Sequence, residues 1–437
     1  MSSFLKAQEI LLKPGQQKTR SGKKSSYIRL NVPIILDLVG ESITTYVADA
    51  AARDGAIVAL EDISGNINTT ALQKWASRLS RLKTLTLFDG SVLNGSVADV
   101  INRHCPDFDD LTFLRTNADS DVDSDIAAFF STLRPNSLRS FTAIGAENIG
   151  HETFLALNNH SLSLRVLKLR ELKSNAIKSL SLLQGCEALE ILGLHDKDGL
   201  INLKETENDV YLEVLAWLSR CNRLQELRLH NILSAPSILT DLCLCNNIRL
   251  RKLELINYPL VNNQDLHKAM SHQSGLESLI LRGDCEGAFK DDIDTLVSSV
   301  CQLTGLRELD LSETSEYFRS PEISRLASSL KKLEKFSFSG YDMTDAIWPS
   351  ISGLRYLRAL NAHAITSFTF DGLLNYISML QPSNQGLVLS VMYQSLDYDL
   401  SDDHKTVIQD SIEAKVDGRF EFVLFRESDS EYDSASD

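Results

Sequence analysis

The sequence holds no apolar run approaching the ~20 residues that a membrane-crossing helix needs. Ile10-Leu11-Leu12 is too short for a signal-peptide core. The seven cysteines are odd in number and show neither CxxC spacing nor a compact framework. That excludes a disulfide scaffold and the common zinc modules, and reads as reduced thiols. Cytoplasmic or nuclear residence is therefore expected. Sequons at Asn68, Asn94 and Asn159 have no export signal to serve and read as coincidence.

Catalytic motifs are missing too. There is no GxSxG, HExxH or dinucleotide fingerprint. Gly22-Lys23-Lys24 is not a phosphate loop: its spacing from Gly15 is wrong and Lys24 replaces the required Ser/Thr. Asp119, Asp121, Asp123 and Asp125 alternate as calcium ligands do. No register, however, supplies both the central Gly and the final Glu of an EF-hand, so they read as a solvated loop before a helix. Cys243 and Cys245 stand too close for a usual zinc site. His104 beside Cys105 looks like a nucleophile pair only until the repeat register accounts for Cys105. The expectation is a non-enzyme without catalytic residues, cofactor or metal.

The body of the chain also lacks positive charge. Net charge is −15. Residues 1–30 carry seven Lys/Arg against Glu9 alone, and the last eleven carry Glu427, Asp429, Glu431, Asp433 and Asp437 with no base. The acidic body between them argues against nucleic acid as a partner, which needs a basic surface that releases counterions. Arg20–Lys24 reads as a nuclear-import signal or as a plain solvated tail. Ser428, Ser430 and Ser434 each precede an acidic residue by three, so that tail is either phosphorylated by acidophilic kinases or simply solubilising.

What is present is repetition. Leu306-Arg307-Glu308-Leu309-Asp310-Leu311 is an LxxLxL, and versions of it recur. Early copies are Leu82/Leu85/Leu87, Phe108/Leu111/Phe113, Leu138/Phe141/Ala143, Leu164/Leu167/Leu169 and Leu189/Leu192/Leu194. Later ones run from Leu224/Leu227/Leu229 to Leu357/Leu360/Ala362, with weaker copies at Val58/Leu60, Leu387/Leu389 and Phe420/Phe422. With Val58 and Phe422 as the outermost fourth positions, thirteen intervals average 28 residues. Helical stripes lie between, such as Ile293, Leu296, Val297 and Val300, and Pro321 opens another.

This period predicts an α/β leucine-rich-repeat solenoid. Strands ~4.8 Å apart and helices roughly 10 Å apart should bend it into a horseshoe, with parallel strands on the concave face and helices on the convex face. The expected organisation is a disordered basic segment over 1–30 and a capping helix over 31–56. The solenoid follows over 57–392, then a cap over 393–426 and a disordered acidic tail over 427–437. In the cap, Ser401 should start a helix through about Val416, and Arg419–Phe425 should add a closing strand.

Cys105, Cys186 and Cys221 each stand three residues before a first leucine position, and Cys245 and Cys301 five before. This resembles the cysteine-containing repeats of F-box/leucine-rich-repeat proteins of fungal type, which are ribonuclease-inhibitor-like. The resemblance implies a substrate-recruiting subunit of a cullin-based ubiquitin ligase, with a cullin adaptor as partner. No clear F-box is retained: Leu30-Asn31-Val32-Pro33-Ile34-Ile35-Leu36 lacks the acidic residue of its signature. A scaffold without a ubiquitin role is the alternative. A second resemblance, to Ran GTPase-activating repeats, implies a GTPase activator. Those usually keep a polar ladder after the third leucine position, where this chain has Thr314, Tyr258 and Ile232.

In LxxLxLx, positions four and six point inward while three, five and seven face the open side. Phe88, Leu114 and Ile144 make an apolar zone there. Lys168, Arg170, His195, Arg228, His230, Lys252 and Arg282 make a basic one, and Glu308 and Asp310 an acidic one. The expected ligand is a protein or peptide, acidic or phosphorylated, on the concave face. The alternative is a solvated face whose cations pair with Glu226 and Glu254. The insertion Asp196–Asp209 and the loop Glu313–Ser320, with Tyr317 and Phe318, are further contact candidates.

Overall fold

The computed structural model describes residues 15–18, 24–30, 57–62, 67–116, 122–245, 247–364, 366–393 and 400–424. The chain divides into two compact units, Met1–Leu224 and Gln225–Asp437. Both are built of leucine-rich repeats, and the chain is an α/β solenoid of the expected class.

The strands of the first unit are β1 (Gly15–Lys18), β2 (Lys24–Leu30), β3 (Ile57–Asp62), β4 (Thr84–Asp89), β5 (Asp110–Arg115), β6 (Ser140–Ala143), β7 (Val166–Leu172) and β8 (Ile191–Asp196). Its helices are α1 (Thr69–Ala76), α2 (Gly95–His104), α3 (Val122–Thr132), α4 (His151–Leu157), α5 (Ser174–Lys178), α6 (Leu203–Thr206) and α7 (Asn208–Arg220). Strands β2 to β8 lie parallel in chain order, with β1 antiparallel to β2. The expectation of disorder over 1–30 therefore does not hold for β1 and β2. The open edge of β3 presents unpaired backbone groups, and a strand beside it satisfies them. The capping helix expected over 31–56 and the acidic tail over 427–437 lie outside the described residues.

The second unit has strands β9 (Glu226–His230), β10 (Lys252–Pro259), β11 (Ser278–Asp284), β12 (Glu308–Leu311), β13 (Lys335–Phe338), β14 (Met343–Thr344), β15 (Ala359–His363), β16 (Thr366–Ser367), β17 (Val388–Tyr393) and β18 (Arg419–Leu424). Its helices are α8 (Ala235–Leu244), α9 (Gln264–Met270), α10 (Lys290–Val300), α11 (Ser320–Ser329), α12 (Trp348–Ile351), α13 (Phe370–Met379) and α14 (Asp402–Val416). Its main sheet is parallel, while β14 and β16 form a separate short pair. In α14, the Ser401 hydroxyl accepts the His404 N–H at 3.1 Å.

The register follows the leucines. Leu85, Leu111, Phe141, Leu167 and Leu192 stand opposite one another in the first unit. Leu227, Leu253, Leu279, Leu309, Phe336, Leu360 and Leu389 do so in the second. Two outer positions need correction. Leu60, not Val58, pairs with Leu85, and Phe420, not Phe422, pairs with Leu389. Because a strand alternates with period two, a slip of two residues keeps the same face inward and is invisible to pattern alone.

Inward positions are buried and their neighbours half-buried, as in Leu85 and Leu87 against Thr86 and Phe88. Each fully buried leucine contributes about 1.5–3 kcal/mol relative to exposure. Successive helices pack beside one another over the sheet, and rings such as Phe130 and Phe141 meet at 4.8 Å between centroids.

The turn from helix to strand carries a recurring polar device. Cys105 Sγ reaches the Ala76 and Leu79 carbonyls at 3.3 and 3.4 Å, and Cys221 Sγ reaches the Cys186 carbonyl at 3.7 Å. Gln273 Nε2 donates to the Cys243 carbonyl at 2.8 Å, and Asn384 Nδ2 to that of Leu354 at 3.0 Å. His160 Nε2 lies 3.1 Å from the Phe130 carbonyl. In each case a buried donor satisfies a carbonyl near the end of the preceding repeat's helix, where no intrahelical partner exists. Burial raises the thiol of Cys105 to about 11 and those of Cys186 and Cys221 to about 12, which suits a packed donor and not a nucleophile.

The sequon asparagines also have structural work. Asn68 and Asn94 cap α1 and α2, and Asn159 Nδ2 donates to the Phe130 carbonyl at 3.2 Å.

Candidate functional site

In the first unit, the strand register carried one residue past the pairs Leu87–Phe113, Phe113–Ala143 and Ala143–Leu169 places Phe88, Leu114, Ile144 and Arg170 in one row, with His195 beyond a register shift that follows Leu169. They follow the inward leucines directly, so each turns to the open side of the sheet. Phe88, Leu114 and Ile144 are half-buried, and Arg170 is exposed. The Arg115 guanidinium lies 4.5 Å from the Phe88 ring centroid, a cation–π contact at the end of the row. Among the described residues no carboxylate forms an ion pair with Arg170. Lys168, half-buried, lies near Asp110, whose own carboxyl is raised chiefly by burial. His195 Nδ1 accepts the Glu171 N–H at 3.3 Å.

The second unit treats its cations differently. Arg228 Nη2 meets Glu226 at 3.1 Å and its Nε lies 3.7 Å from Glu254. Glu254 also takes His230 Nε2 at 2.8 Å and Lys252 Nζ at 4.0 Å. The hydrogen bond from His230, with the nearby cations, holds the Glu254 carboxyl below its usual range despite burial. Arg282 Nη2 meets Asp310 at 2.7 Å, and Lys335 meets Glu308 at 3.3 Å. Arg228, Lys252, Arg282 and Lys335 thus face Glu226, Glu254, Asp310 and Glu308, four charges against four. Arg228, Lys252 and Arg282 of the expected basic zone, together with Lys335 outside it, sit in a neutral lattice.

The sequence matches no protein-family model and no curated protein. Among solved structures, a chain of the yeast Rad7–Elc1 complex matches with a TM-score of 0.51 at 15% identity, over 91% of this chain and 90% of that one. An internalin of Listeria monocytogenes matches at 12% identity and TM-score 0.35, covering 76% of this chain and 92% of that one. The leucine-rich repeat-containing protein LegL7 of Legionella pneumophila matches at 10% identity and TM-score 0.37, covering 82% and 97%. The first of these likenesses supports the fold.

Other sequence candidates resolve as structure. Asp123 Oδ1 accepts the Gly150 N–H at 2.8 Å and Oδ2 that of Glu152 at 3.0 Å, so it caps α4 from the neighbouring repeat. Asp119 and Asp121 lie outside the described residues. Among the described residues no His/Cys/Asp/Glu group could hold a metal, and no helix is long and apolar enough to cross a membrane. The insertion Asp196–Asp209 folds into α6 and the start of α7, with Leu203 buried and Lys178 bound to Glu207 at 2.7 Å. Phe318 is fully buried and not a contact residue, whereas Tyr317 is exposed. Thr314, Tyr258 and Ile232 are buried too, and the Thr314 hydroxyl donates to the Leu281 carbonyl at 3.1 Å.

A cleft of about 610 Å³ in the first unit is lined by Arg81, Lys83, Pro106, Asp109 and Arg134, among others. Lys83 is paired with Asp109 at 3.4 Å, and Arg134 Nη2 donates to the Pro106 carbonyl at 2.6 Å. Its charges are partly committed to holding adjacent turns. Arg115 is the residue that sequence reasoning missed. Reading the motif one position beyond its seventh residue would have placed it beside Leu114.

Proposed function

We propose that this chain is a non-enzymatic recognition module that binds a protein segment across the open sheet face of the first unit. The supporting observation is the row Phe88–Leu114–Ile144–Arg170 on adjacent strands. Three apolar side chains stay at the surface beside a cation with no ion-pair partner among the described residues. A segment presenting apolar side chains followed by acidic or phosphorylated residues complements that row. Arg228 and Arg282, already neutralised, add little attraction for an anion.

The test is affinity purification of the full chain with quantitative mass spectrometry, comparing wild type with Leu114→Asp, Arg170→Glu and the exposed control Arg355→Glu. A stoichiometric partner should be lost with the first two and kept with the control. Retention of every partner by Leu114→Asp and Arg170→Glu would refute the assignment.

A second reading, that the chain is a substrate-recruiting F-box-like subunit of a cullin ubiquitin ligase, is favoured by the similarity to a chain solved in complex with Elc1. Recovery of a cullin adaptor in the same purification supports it. One stoichiometric partner without an adaptor favours a scaffold with no ubiquitin role.

A further inference from the structure

We propose that the loops following β11, β12 and β13 form a separate docking surface, on the second unit, for a protein segment rich in arginine or lysine. Each loop leaves one aromatic ring in solvent: Phe289 is 74% exposed, Tyr317 49% and Tyr341 50%. Single exposed apolar residues need no explanation, but here one stands on each of three consecutive loops. The core does not lack room for a ring here, since Phe318 beside Tyr317 is fully buried.

The loops are joined by hydrogen bonds. Cys285 Sγ lies 3.4 Å from the Glu313 carbonyl, and Glu313 N donates to Ser339 Oγ at 3.0 Å. Ser339 N donates to Ser315 Oγ at 2.8 Å, and Tyr341 N to the Phe318 carbonyl at 2.8 Å. A preformed surface loses little conformational entropy when it binds.

Charge selects the occupant. Asp284, Glu286, Glu313, Glu316 and Asp342 are exposed on these loops, against Lys290 and Arg319. Aromatic faces attract guanidinium and ammonium groups, and the surrounding carboxylates neutralise them. An acidic or phosphorylated segment would be repelled. A second copy of this chain carries net −15 but gathers seven Lys/Arg in residues 1–30, and its self-association is an outcome of the test.

The experiment is a fluorescence-anisotropy titration of the full chain into a labelled Arg-Gly repeat peptide, with a Glu-Gly peptide of equal length as control. The Arg-Gly peptide should bind saturably and the Glu-Gly peptide should not. Combined Phe289→Ala, Tyr317→Ala and Tyr341→Ala should weaken binding by about tenfold or more. Glu313→Gln with Glu316→Gln should weaken it and flatten its salt dependence. Tyr356→Ala, an exposed aromatic outside these loops, should change nothing. Equal binding by the aromatic triple variant, or no saturable binding by wild type, overturns the proposal. Self-association of wild type that the triple variant abolishes overturns it as well, assigning these loops to a second copy. The substituted side chains are exposed, and an unchanged melting temperature verifies that each variant is folded.

Discussion

Gln273 shows how a single side chain joins two repeats. Its Nε2 donates to the Cys243 carbonyl, while its Oε1 accepts the Leu250 N–H at 3.0 Å. His160 does the same for the Phe130 carbonyl and the Leu138 N–H, which makes Nδ1 its acceptor and Nε2 its donor. Gln273→Met keeps the volume but strands a buried donor and a buried acceptor. It should cost about 2–3 kcal/mol in urea unfolding. A second residue-scale consequence concerns acid. His267 is fully buried, with Tyr258 Oη 3.5 Å from its Nε2 and Asp292 nearby. Burial lowers its imidazole from 6.5 to about 4. The unfolded chain therefore takes up a proton near pH 6.5 that the folded chain refuses until about pH 4. Stability is fully present above that window and falls as pH drops through it. The melting temperature should decline over this interval, and His267→Phe should flatten the decline even if the variant is less stable throughout. His160, whose imidazole burial also lowers, adds to the slope in the same direction.

At the scale of elements, close backbone approach decides where glycine is needed. Strand β10 has an irregularity between Ile256 and Tyr258, with Asn257 at φ +59. This turns the Tyr258 carbonyl towards β11, where a Cβ on Gly283 would sit 2.0 Å from that oxygen. Backbone cannot move aside as a flexible side chain can. Gly283→Ala should therefore destabilise by about 3 kcal/mol or more in thermal unfolding. Gly287→Ala, in open space at φ +73, should cost only about 1 kcal/mol for its left-handed backbone. The sequence offered no sign of this difference between Gly283, inside β11, and Gly287, just after it, because the close approach comes from the neighbouring strand. The Asp123 cap was similarly hidden: its partners Gly150, Glu152 and Thr153 lie 27 to 30 residues away.

For the molecule as a whole, the two units answer a charge reversal differently. Arg170→Glu removes a cation that has no ion-pair partner among the described residues, so it should leave the melting temperature unchanged and act on partner binding. Arg282→Glu places a carboxylate against Asp310, where Arg282 now donates at 2.7 and 3.2 Å. It should lower stability by about 1 kcal/mol, a modest figure because Arg282 is partly exposed. Scanning calorimetry on the two variants separates these outcomes.

The solenoid was legible because its information is local. Leucines at positions one, four and six, and a donor three residues ahead of them, recur in the chain itself, and strand geometry converts that spacing directly into inward and outward faces. What surrounds Arg170 and Arg282 is not local. Their neighbours come from strands about one repeat away, and whether a long side chain finds a carboxylate depends on register, rotamer and burial together. The sequence by itself therefore determined the repeat, the inward face and the candidate row. Only the tertiary structure decided which cations remain available, because pairs such as Arg282 with Asp310 and Arg228 with Glu254 are made across strands, even where Glu226 and Glu254 also meet a cation along their own strand.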